Sequence, residues 1–277
     1  MYDGQVKMSE CSGRARVVVL CGPRITHRST CATLIREGVE VAGICVCDET
    51  TLGIPLRVVL RAIRRVGMRR VAGQIAGRVY YRLHEGRLDR EIGRDLFDRE
   101  VIHDQLNSWA GEWHLTRSFA GPEVAQWIES VDPEIIVVHS SSWVPKRVRL
   151  LARSGLVIGG HPGLIPKYRG SHAAFWAAYK GRFEDLGCTV FRLGETPDVG
   201  PILRQERLSP DSRDSYVTMG WKSMKRIATL MAEVVREYEA TGTICSQESV
   251  TIPPGSYYTI PTLREYWQYR RSQGLLR

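Results

Sequence analysis

The stretch VIGGHPGLIPKYRGSHAAFWAAYKGRFEDLGCTVFRLGETPDVGPILR, residues 157–204, contains most of the side chains in this chain that chemistry can use. A short apolar run ends in two glycines, and His161 and Pro162 follow it directly. This order predicts a titratable imidazole at the end of a buried strand. Further prolines and glycines predict an irregular loop of fixed shape, because proline fixes φ and glycine adopts conformations that other residues avoid. We therefore expect the active site here, with the rest of the chain as scaffold.

Two further elements follow the loop within the same stretch. The run HAAFWAAYKG predicts a helix that Gly181 ends, and alternation predicts a strand over Gly187–Leu193. The turn GETPDVGP then carries Asp198. His161 and Asp198 thus both lie at strand ends, which a parallel sheet would bring together. Two structural alternatives stay open, a hydrogen-bonded structural histidine and an ordinary turn aspartate.

Three apolar segments upstream predict the strands of a parallel sheet. The runs RVVVLCG (Arg16–Gly22) and VEVAGICVCD (Val39–Asp48) flank a helix that Gly38 ends, which makes a strand, helix, strand unit. The run EIIVVHSS (Glu134–Ser141) predicts a central strand, because four consecutive β-forming residues stand between breakers. The predicted fold class is α/β, an open, mostly parallel Rossmann-like sheet with helices on both faces.

Two loops of the predicted sheet indicate where a ligand binds and which cofactor is disfavoured. Ligands bind beyond the carboxyl ends of parallel strands, so Ser140–Pro145 is a candidate pocket wall. The loop CGPRITHR lacks the spacing G-x-G-x-x-G, which argues against a dinucleotide cofactor. Before the central strand, LNSWAGEW predicts irregular structure and GPEVAQWIESVDP predicts a helix that its proline stops.

The same patterns divide the chain into parts. We predict a flexible N-terminus over residues 1–13, an α/β domain over residues 14–210 with a basic helical insert over residues 56–100, and a C-terminal helical extension over residues 211–277. The extension begins with a long helix over Asp214–Gly242 and ends in a short basic, aromatic helix. The packing stripe of the long helix has helical spacing: Met224, Ile227, Met231, Val234 and Tyr238.

Composition limits the class of protein. The 277 residues are 43% hydrophobic and 25% charged, which is typical of a folded globular chain. No apolar run reaches the ~18 residues that cross a bilayer, and the N-terminal residues lack the apolar core of a signal peptide, so we expect a cytoplasmic protein. Seven cysteines without a C-x-x-C pair indicate neither a disulfide framework nor a metal site. Cys45 and Cys47 are expected to be buried thiols on a strand.

The net charge of +9 favours anionic partners. Much of the excess lies between Arg57 and Arg94, where arginines alternate with apolar residues at helical spacing. One hypothesis is a pair of amphipathic helices with a solvated basic face. The other is that these guanidinium groups contact phosphates of a substrate or partner.

A family resemblance rests on several of these motifs together. The run HPGLIPKYRG, the FW pair of GSHAAFW, GCTVFRL and DVGPIL resemble, in order and spacing, the signature of the folate-dependent formyltransferases. That family includes glycinamide ribonucleotide formyltransferase, methionyl-tRNA formyltransferase and the sugar N-formyltransferases. The likeness is dense over residues 135–205 and weak but compatible over residues 16–48.

The resemblance implies an enzyme that transfers a formyl group from 10-formyltetrahydrofolate to an amine. His161 matches the family's general acid and base, and Asp198 matches the aspartate that orients the imidazole and favours its protonated form. The family's asparagine, two residues before the histidine, is replaced by Gly159. Glycine offers no side-chain donor to the tetrahedral oxyanion. A hydroxyl from Ser140, Ser141 or Ser142 is a candidate replacement.

The resemblance also implies where the cofactor and the acceptor bind. The pterin ring would lie against two loops, at Ser142, Val144, Pro145, Leu193, Gly194, Glu195 and Thr196. The residues after Ser212 are too few and too helical for the β-barrel with which methionyl-tRNA formyltransferases bind tRNA. We therefore expect a small-molecule amine acceptor that can carry phosphate, an amino sugar nucleotide or a specialised metabolite, and disfavour nucleic acid.

Two other functions stay open at this level. In the first, the chain is a formyltetrahydrofolate hydrolase or another one-carbon or acyl transferase, and Gly159 makes room for water or a bulkier group. In the second, it is a non-catalytic relative that binds folate or a nucleotide.

Overall fold

A computed structural model of the chain describes residues 14–49, 60, 63–84, 86–247 and 251–272. The prediction for residues 1–13 and the part of the basic insert at Arg57 and Arg61 lie outside these residues. The strands are β1 Val17–Cys21, β2 Val41–Cys47, β3 Glu112–Thr116, β4 Ile135–His139, β5 Leu156–His161, β6 Arg169–Gly170, β7 Gly187–Arg192, β8 Ile202–Arg207 and β9 Tyr257–Tyr258. The helices are α1 Ile25–Arg36, α2 Met68–His84, α3 Gly86–Leu96, α4 Arg99–Asn107, α5 Pro122–Val131, α6 Lys146–Arg149, α7 Ala173–Tyr179, α8 Tyr216–Thr241 and α9 Leu263–Ser272.

Seven strands form one sheet in the order β3-β2-β1-β4-β5-β7-β8. The first five run parallel to one another, and β7 and β8 are antiparallel to their neighbours. Strand order reverses between β1 and β4, and such a point leaves a crevice at the carboxyl ends of the two strands. The predicted α/β class is confirmed, with β4 at the centre of the sheet.

Hydrophobic cores on the two faces explain why the central strands are apolar throughout. Val17 and Val19 of β1 face a core that includes α1 and α8, whereas Val18 and Leu20 face a second core that includes α5. All four side chains are completely buried. Because successive residues of a strand point to opposite faces, a strand covered on both faces has no position left for a polar residue.

Helix α8 is the long helix predicted for the C-terminal extension. It begins with a capping box, in which the Ser215 hydroxyl accepts from Thr218 N and the Thr218 hydroxyl accepts from Ser215 N, and it ends at Gly242 with φ of 68°. The three central residues of its predicted packing stripe, Ile227, Met231 and Val234, are completely buried. The stripe therefore packs α8 onto the sheet, as predicted.

No helix in the described residues is long and apolar enough to cross a membrane.

The structure corrects two sequence predictions. The segment LNSWAGEW was predicted irregular, but α4 extends to Asn107 and its last residues begin the edge strand β3. Trp113 and Leu115 of β3 are exposed, so this strand lacks the buried alternation that identifies strands in a sequence. The second correction concerns β7, which pairs antiparallel with β5. The expectation that a parallel sheet brings His161 and Asp198 together was therefore wrong.

The C-terminal segment adds a small parallel pair of strands beside the active-site loop. Strand β9 pairs with β6, and Arg169 N donates to Ser256 O at 2.8 Å. Helix α9 packs against α2, where Gly73 and Gly77 leave space for the chain at Thr262 and Leu263. The C-terminal segment therefore contacts both helix α2 of the basic insert and the loop that follows His161.

Candidate active site

A cleft of about 460 Å³ opens at the carboxyl ends of β1, β4 and β5, next to the point where strand order reverses. His161 is the last residue of β5, and Asp198 lies in the loop between β7 and β8. That loop turns back toward the carboxyl end of β5, and both side chains line the cleft. His161 and Asp198 are therefore brought together by the path of the loop between β7 and β8.

Each ring nitrogen of His161 lies close to an oxygen atom. Its Nε2 lies 2.8 Å from the carbonyl oxygen of Tyr168, and its Nδ1 lies 3.3 Å from Oδ1 of Asp198. A carbonyl oxygen and a carboxylate accept hydrogen bonds and do not donate them. Both contacts are satisfied when the ring carries two protons and Asp198 is ionised. The imidazole of His161 and the carboxylate of Asp198 thus form a close acid–base pair at the cleft wall.

The backbone around Asp198 holds its carboxylate in place. The residue has a φ of 54°, a conformation that aspartate tolerates better than most residues. Gly170 N donates to its second oxygen at 2.8 Å. Burial by itself would raise the pKa of Asp198, but the hydrogen bond and charge of His161, together with the Gly170 amide, lower that pKa below its usual value. Asp198 is therefore ionised near pH 7 and can accept a hydrogen bond from the imidazole of His161.

The loop after His161 is positioned by a buried hydroxyl and by a glycine. The Thr189 hydroxyl donates to Gly163 O at 2.8 Å and accepts from Ile165 N at 3.2 Å. A Cβ at Gly163 would lie 2.4 Å from the Cβ of Ala173 and 3.0 Å from Nε2 of His161. Only glycine fits there, which is the physical reason for the Pro-Gly pair that follows the histidine.

Gly159 lies on the same face of β5 as His161. A Cβ built on it would lie 3.0 Å from a methyl carbon of Leu193 and 3.1 Å from the Phe191 ring. Leu193 and the Phe191 ring therefore fill the space beside the position where the family pattern has asparagine. The neighbouring Gly160 faces the other way, where its Cβ would lie 2.4 Å from Ile227 of α8.

The structure brings only part of the predicted cofactor set to the cleft. Ser142, Val144 and Leu193 line it. The other predicted residues do not: Pro145, Gly194, Glu195 and Thr196 lie outside the lining. Pro145 is the N-cap residue of α6, and Glu195 forms an exposed ion pair with Lys146 at 3.2 Å.

Three serines follow β4 at the cleft. The Ser140 hydroxyl accepts from Ser142 N at 3.1 Å, which leaves its own proton available for another acceptor. Ser141 lines the cleft with an exposed side chain. The hydroxyl groups of Ser140 and Ser141 can therefore act as free donors at the cleft. Cys45 and Cys47 are buried free thiols, as predicted.

Three histidines that the sequence analysis did not single out also line the cleft: His27, His139 and His172. The Thr30 hydroxyl lies 2.5 Å from Nδ1 of His139, whose ring centroid lies 5.2 Å from that of His27. Burial, and then the charge of Arg24, lowers the pKa of His27 to about 4. Burial, and then His27, lowers the pKa of His139 to about 3. Both rings are neutral near pH 7. The sequence offered one indication that His139 lies at the site, because it is the last residue of the central strand β4.

A second, larger cavity of about 1160 Å³ adjoins the cleft, and Arg24 and Met224 line both. Its wall carries five arginines at the starts of α1 and α4 and along α3: Arg24, Arg28, Arg90, Arg94 and Arg99. Within the residues that the structure describes, none of these guanidinium groups is paired with a carboxylate. We call this space the arginine cavity.

Comparison with known proteins identifies the fold and the family pattern. A family profile described as "Formyl transferase" matches residues 90–235, just over half of the chain and the part that contains the cleft residues His161 and Asp198. The chain is 34% identical over 105 residues to a GDP-perosamine N-formyltransferase of Brucella melitensis, a match that covers 38% of this chain and 40% of that protein. It is 29% identical over 155 residues to a methionyl-tRNA formyltransferase of Ehrlichia ruminantium, covering 55% of this chain and 50% of that protein. The matches thus span half or less of these relatives.

Solved structures agree on the fold over a longer stretch. A phosphoribosylglycinamide formyltransferase from Anaplasma phagocytophilum superposes with a TM-score of 0.55 at 14% identity, covering 87% of this chain and 98% of that one. A sugar N-formyltransferase from a Shewanella species superposes with a TM-score of 0.52 at 13% identity, covering 92% and 87% of the two chains. At these identities the likeness describes the fold alone.

Proposed function

This chain belongs to the formyl transferase family, and from that premise we propose that it transfers a formyl group from 10-formyltetrahydrofolate to the primary amine of a small acceptor. The observation that carries the proposal is the contact between His161 Nδ1 and Asp198 Oδ1, 3.3 Å apart at the wall of the cleft. The pair combines an imidazole with a carboxylate at the position where the family pattern has its catalytic residues. It lies at the carboxyl ends of the strands, where ligands of such sheets bind.

The cleft walls fit a reduced folate. Val144, Leu193 and Phe191 are apolar, and Trp143 is exposed at the cleft with Arg149 over its ring. The backbone of Ser140–Val144 borders these side chains and offers the hydrogen-bonding groups that the edge of a pterin requires. When bound there, 10-formyltetrahydrofolate would supply the formyl group.

His161 and Asp198 would manage the protons of the transfer. The acceptor amine must lose a proton as it becomes an amide, and the departing nitrogen must gain one. An imidazolium held by Asp198 can give a proton to the departing nitrogen and take one from the amine, which leaves the pair unchanged after one cycle. The oxyanion that forms between these events needs a donor, and the Ser140 or Ser141 hydroxyl can provide it.

The arginine cavity supports an acceptor that carries phosphate. The amine must reach His161 in the cleft, and the cavity begins where Arg24 and Met224 line both spaces. Guanidinium forks match phosphate oxygens in geometry and charge. The similar Brucella protein is named for an amino sugar linked to a nucleoside diphosphate. An amino sugar nucleotide is therefore the acceptor class that we favour.

The test compares binding with turnover. Calorimetry with 5-formyltetrahydrofolate, a stable analogue, measures the folate site, and a screen of amino sugar nucleotides with 10-formyltetrahydrofolate measures transfer. We expect binding to wild type and to His161→Ala, and transfer by wild type only. Wild-type transfer that survives His161→Ala would refute the proton-transfer role of this residue.

The same measurements distinguish the alternatives. Loss of formyl group without an acylated amine would identify a hydrolase. Folate binding without turnover of any kind would identify a non-catalytic relative. Absence of binding at millimolar analogue would contradict the folate proposal itself.

A further inference from the structure

One face of helix α2 is an apolar stripe that no other part of the described chain covers. Met68, Ile75, Val79 and Leu83 follow one another at intervals of seven, four and four residues, which places them on one side of a helix. Their exposed fractions are 70, 53, 52 and 76%. Large aliphatic side chains in such a row indicate an interaction surface, whereas single exposed ones need no explanation.

The opposite side of α2 is already occupied, so the exposed stripe is not the face that docks the helix. Gly73 and Gly77 on that side pack against Thr262 and Leu263 at the start of α9. Arg70 donates to both carboxylate oxygens of Glu265, at 3.1 and 3.3 Å. Helix α2 is thus anchored to α9 on one side, and on its other side it exposes the apolar stripe as a convex ridge.

The charges around the stripe have one sign. Helices α2 and α9 together contain seven arginines, and their one acidic residue, Glu265, is paired with Arg70. Arg69 and Arg82 are exposed on the two sides of the stripe. On α9, Trp267 is 47% exposed and its ring packs edge-on against Tyr80 of α2. We call the exposed side of these two helices the basic ridge.

We propose that the basic ridge binds the surface of a bilayer that carries anionic headgroups. A convex apolar row flanked by arginines, with a tryptophan beside it, suits the boundary between headgroups and acyl chains. Negative headgroups would attract the exposed guanidinium groups of Arg69 and Arg82, which flank the stripe. A second copy of this chain fits less well, because a symmetric contact through this face would place arginines against arginines.

The binding test uses the full chain and vesicles of two compositions. Sedimentation with phosphatidylcholine vesicles that contain phosphatidylglycerol should carry the protein down, and phosphatidylcholine alone should not. Added salt should weaken the binding, because it screens the arginines. The double variant Val79→Ser, Leu83→Ser should bind at least about tenfold more weakly, because it removes apolar surface from the interface.

Matched controls separate a specific effect of the basic ridge from nonspecific hydrophobic or electrostatic binding. Leu115→Ser changes an equally exposed aliphatic side chain, at 73%, on the distant strand β3. Arg82→Gln should weaken binding, whereas Arg207→Gln on the exposed side of β8 should not. Equal effects of the ridge and control variants would overturn the proposal, as would absence of binding to the anionic vesicles. A dimer in solution that Leu83→Glu dissociates would assign the ridge to self-association instead.

Discussion

Gly159 and Phe191 face each other across the β5 and β7 pair, and a Cβ at Gly159 would lie 3.1 Å from the end of the Phe191 ring. At the position where the family pattern has asparagine, this chain therefore lacks both the side chain and the space for it. The space beside it is occupied by Phe191 and by Leu193, which would lie 3.0 Å from the same Cβ. The cleft is built around the glycine.

We therefore expect Gly159→Asn to crowd the cleft wall and to leave formyl transfer unchanged or lower. The asparagine must displace Leu193 or the Phe191 ring, and overpacking of this kind costs about 1–3 kcal/mol of unfolding free energy. Thermal denaturation and a transfer assay measure the two effects. A gain in transfer would instead identify a degenerate site that lacked only the oxyanion donor.

Two companion variants sharpen this prediction. Leu193→Ala opens the space, so it should restore part of the stability that Gly159→Asn loses. Gly220→Ala is the matched glycine control, because nothing lies within 4 Å of a Cβ there and the site is in helix α8. Alanine is favoured over glycine in a helix by about 1 kcal/mol, so this change should raise stability.

The Asp198→Asn variant tests the contact between Asp198 and His161. Asparagine can still accept from Gly170 N and tolerates the positive φ, so the fold should persist. The uncharged amide no longer stabilises an imidazolium, and we expect transfer to fall by roughly 10²–10⁴. Asp132→Asn is the matched control, because Asp132 also has a positive φ, of 51°, and pairs with Arg153 at 3.3 Å on the surface. Equal loss in both variants would indicate a general effect on the fold.

The differences between sequence and structure have specific physical causes. Strand β4 and helix α8 could be predicted because burial imposes a local pattern on them. The direction of β7 could not, since alternation identifies a strand but pairing with β5 is decided by residues distant in the chain. The same holds for Phe191, whose place beside Gly159 depends on that register. His161 and Asp198 were found from their motifs, although the reason given for their proximity was wrong.

Stability should fall in mild acid because of three cleft histidines. Burial lowers the pKa values of His27 and His172 to about 4 and that of His139 to about 3, whereas unfolded histidine titrates near 6.5. Between these limits the unfolded chain binds more protons than the folded one, so lowering the pH from about 6.5 to about 4 lowers the unfolding free energy. Each unit of difference is worth about 1.4 kcal/mol, which makes a total of several kcal/mol for the buried rings of His27 and His139.

Denaturant titrations across this pH range measure the effect. His139→Asn should partly flatten the dependence of unfolding free energy on pH, because it removes one of the three groups. His103→Gln, at an exposed histidine of α4, should leave the slope as it is in wild type. An unchanged slope in His139→Asn would show that other groups cause the loss.

The last prediction concerns the arginine cavity. Arg90 and Arg94 lie on α3 and line it, whereas Arg87 on the same helix lies outside the lining and pairs with Glu91. If the cavity holds the phosphates of the acceptor, Arg90→Gln and Arg94→Gln should each weaken binding of a probe such as GDP, by roughly tenfold for a lost charge-assisted hydrogen bond. They should raise KM for a phosphorylated acceptor and leave kcat nearly unchanged, because the phosphates lie away from the reacting amine. Arg87→Gln should change neither quantity. Equal changes in all three variants would support a solvated basic face, since only long-range charge would then matter.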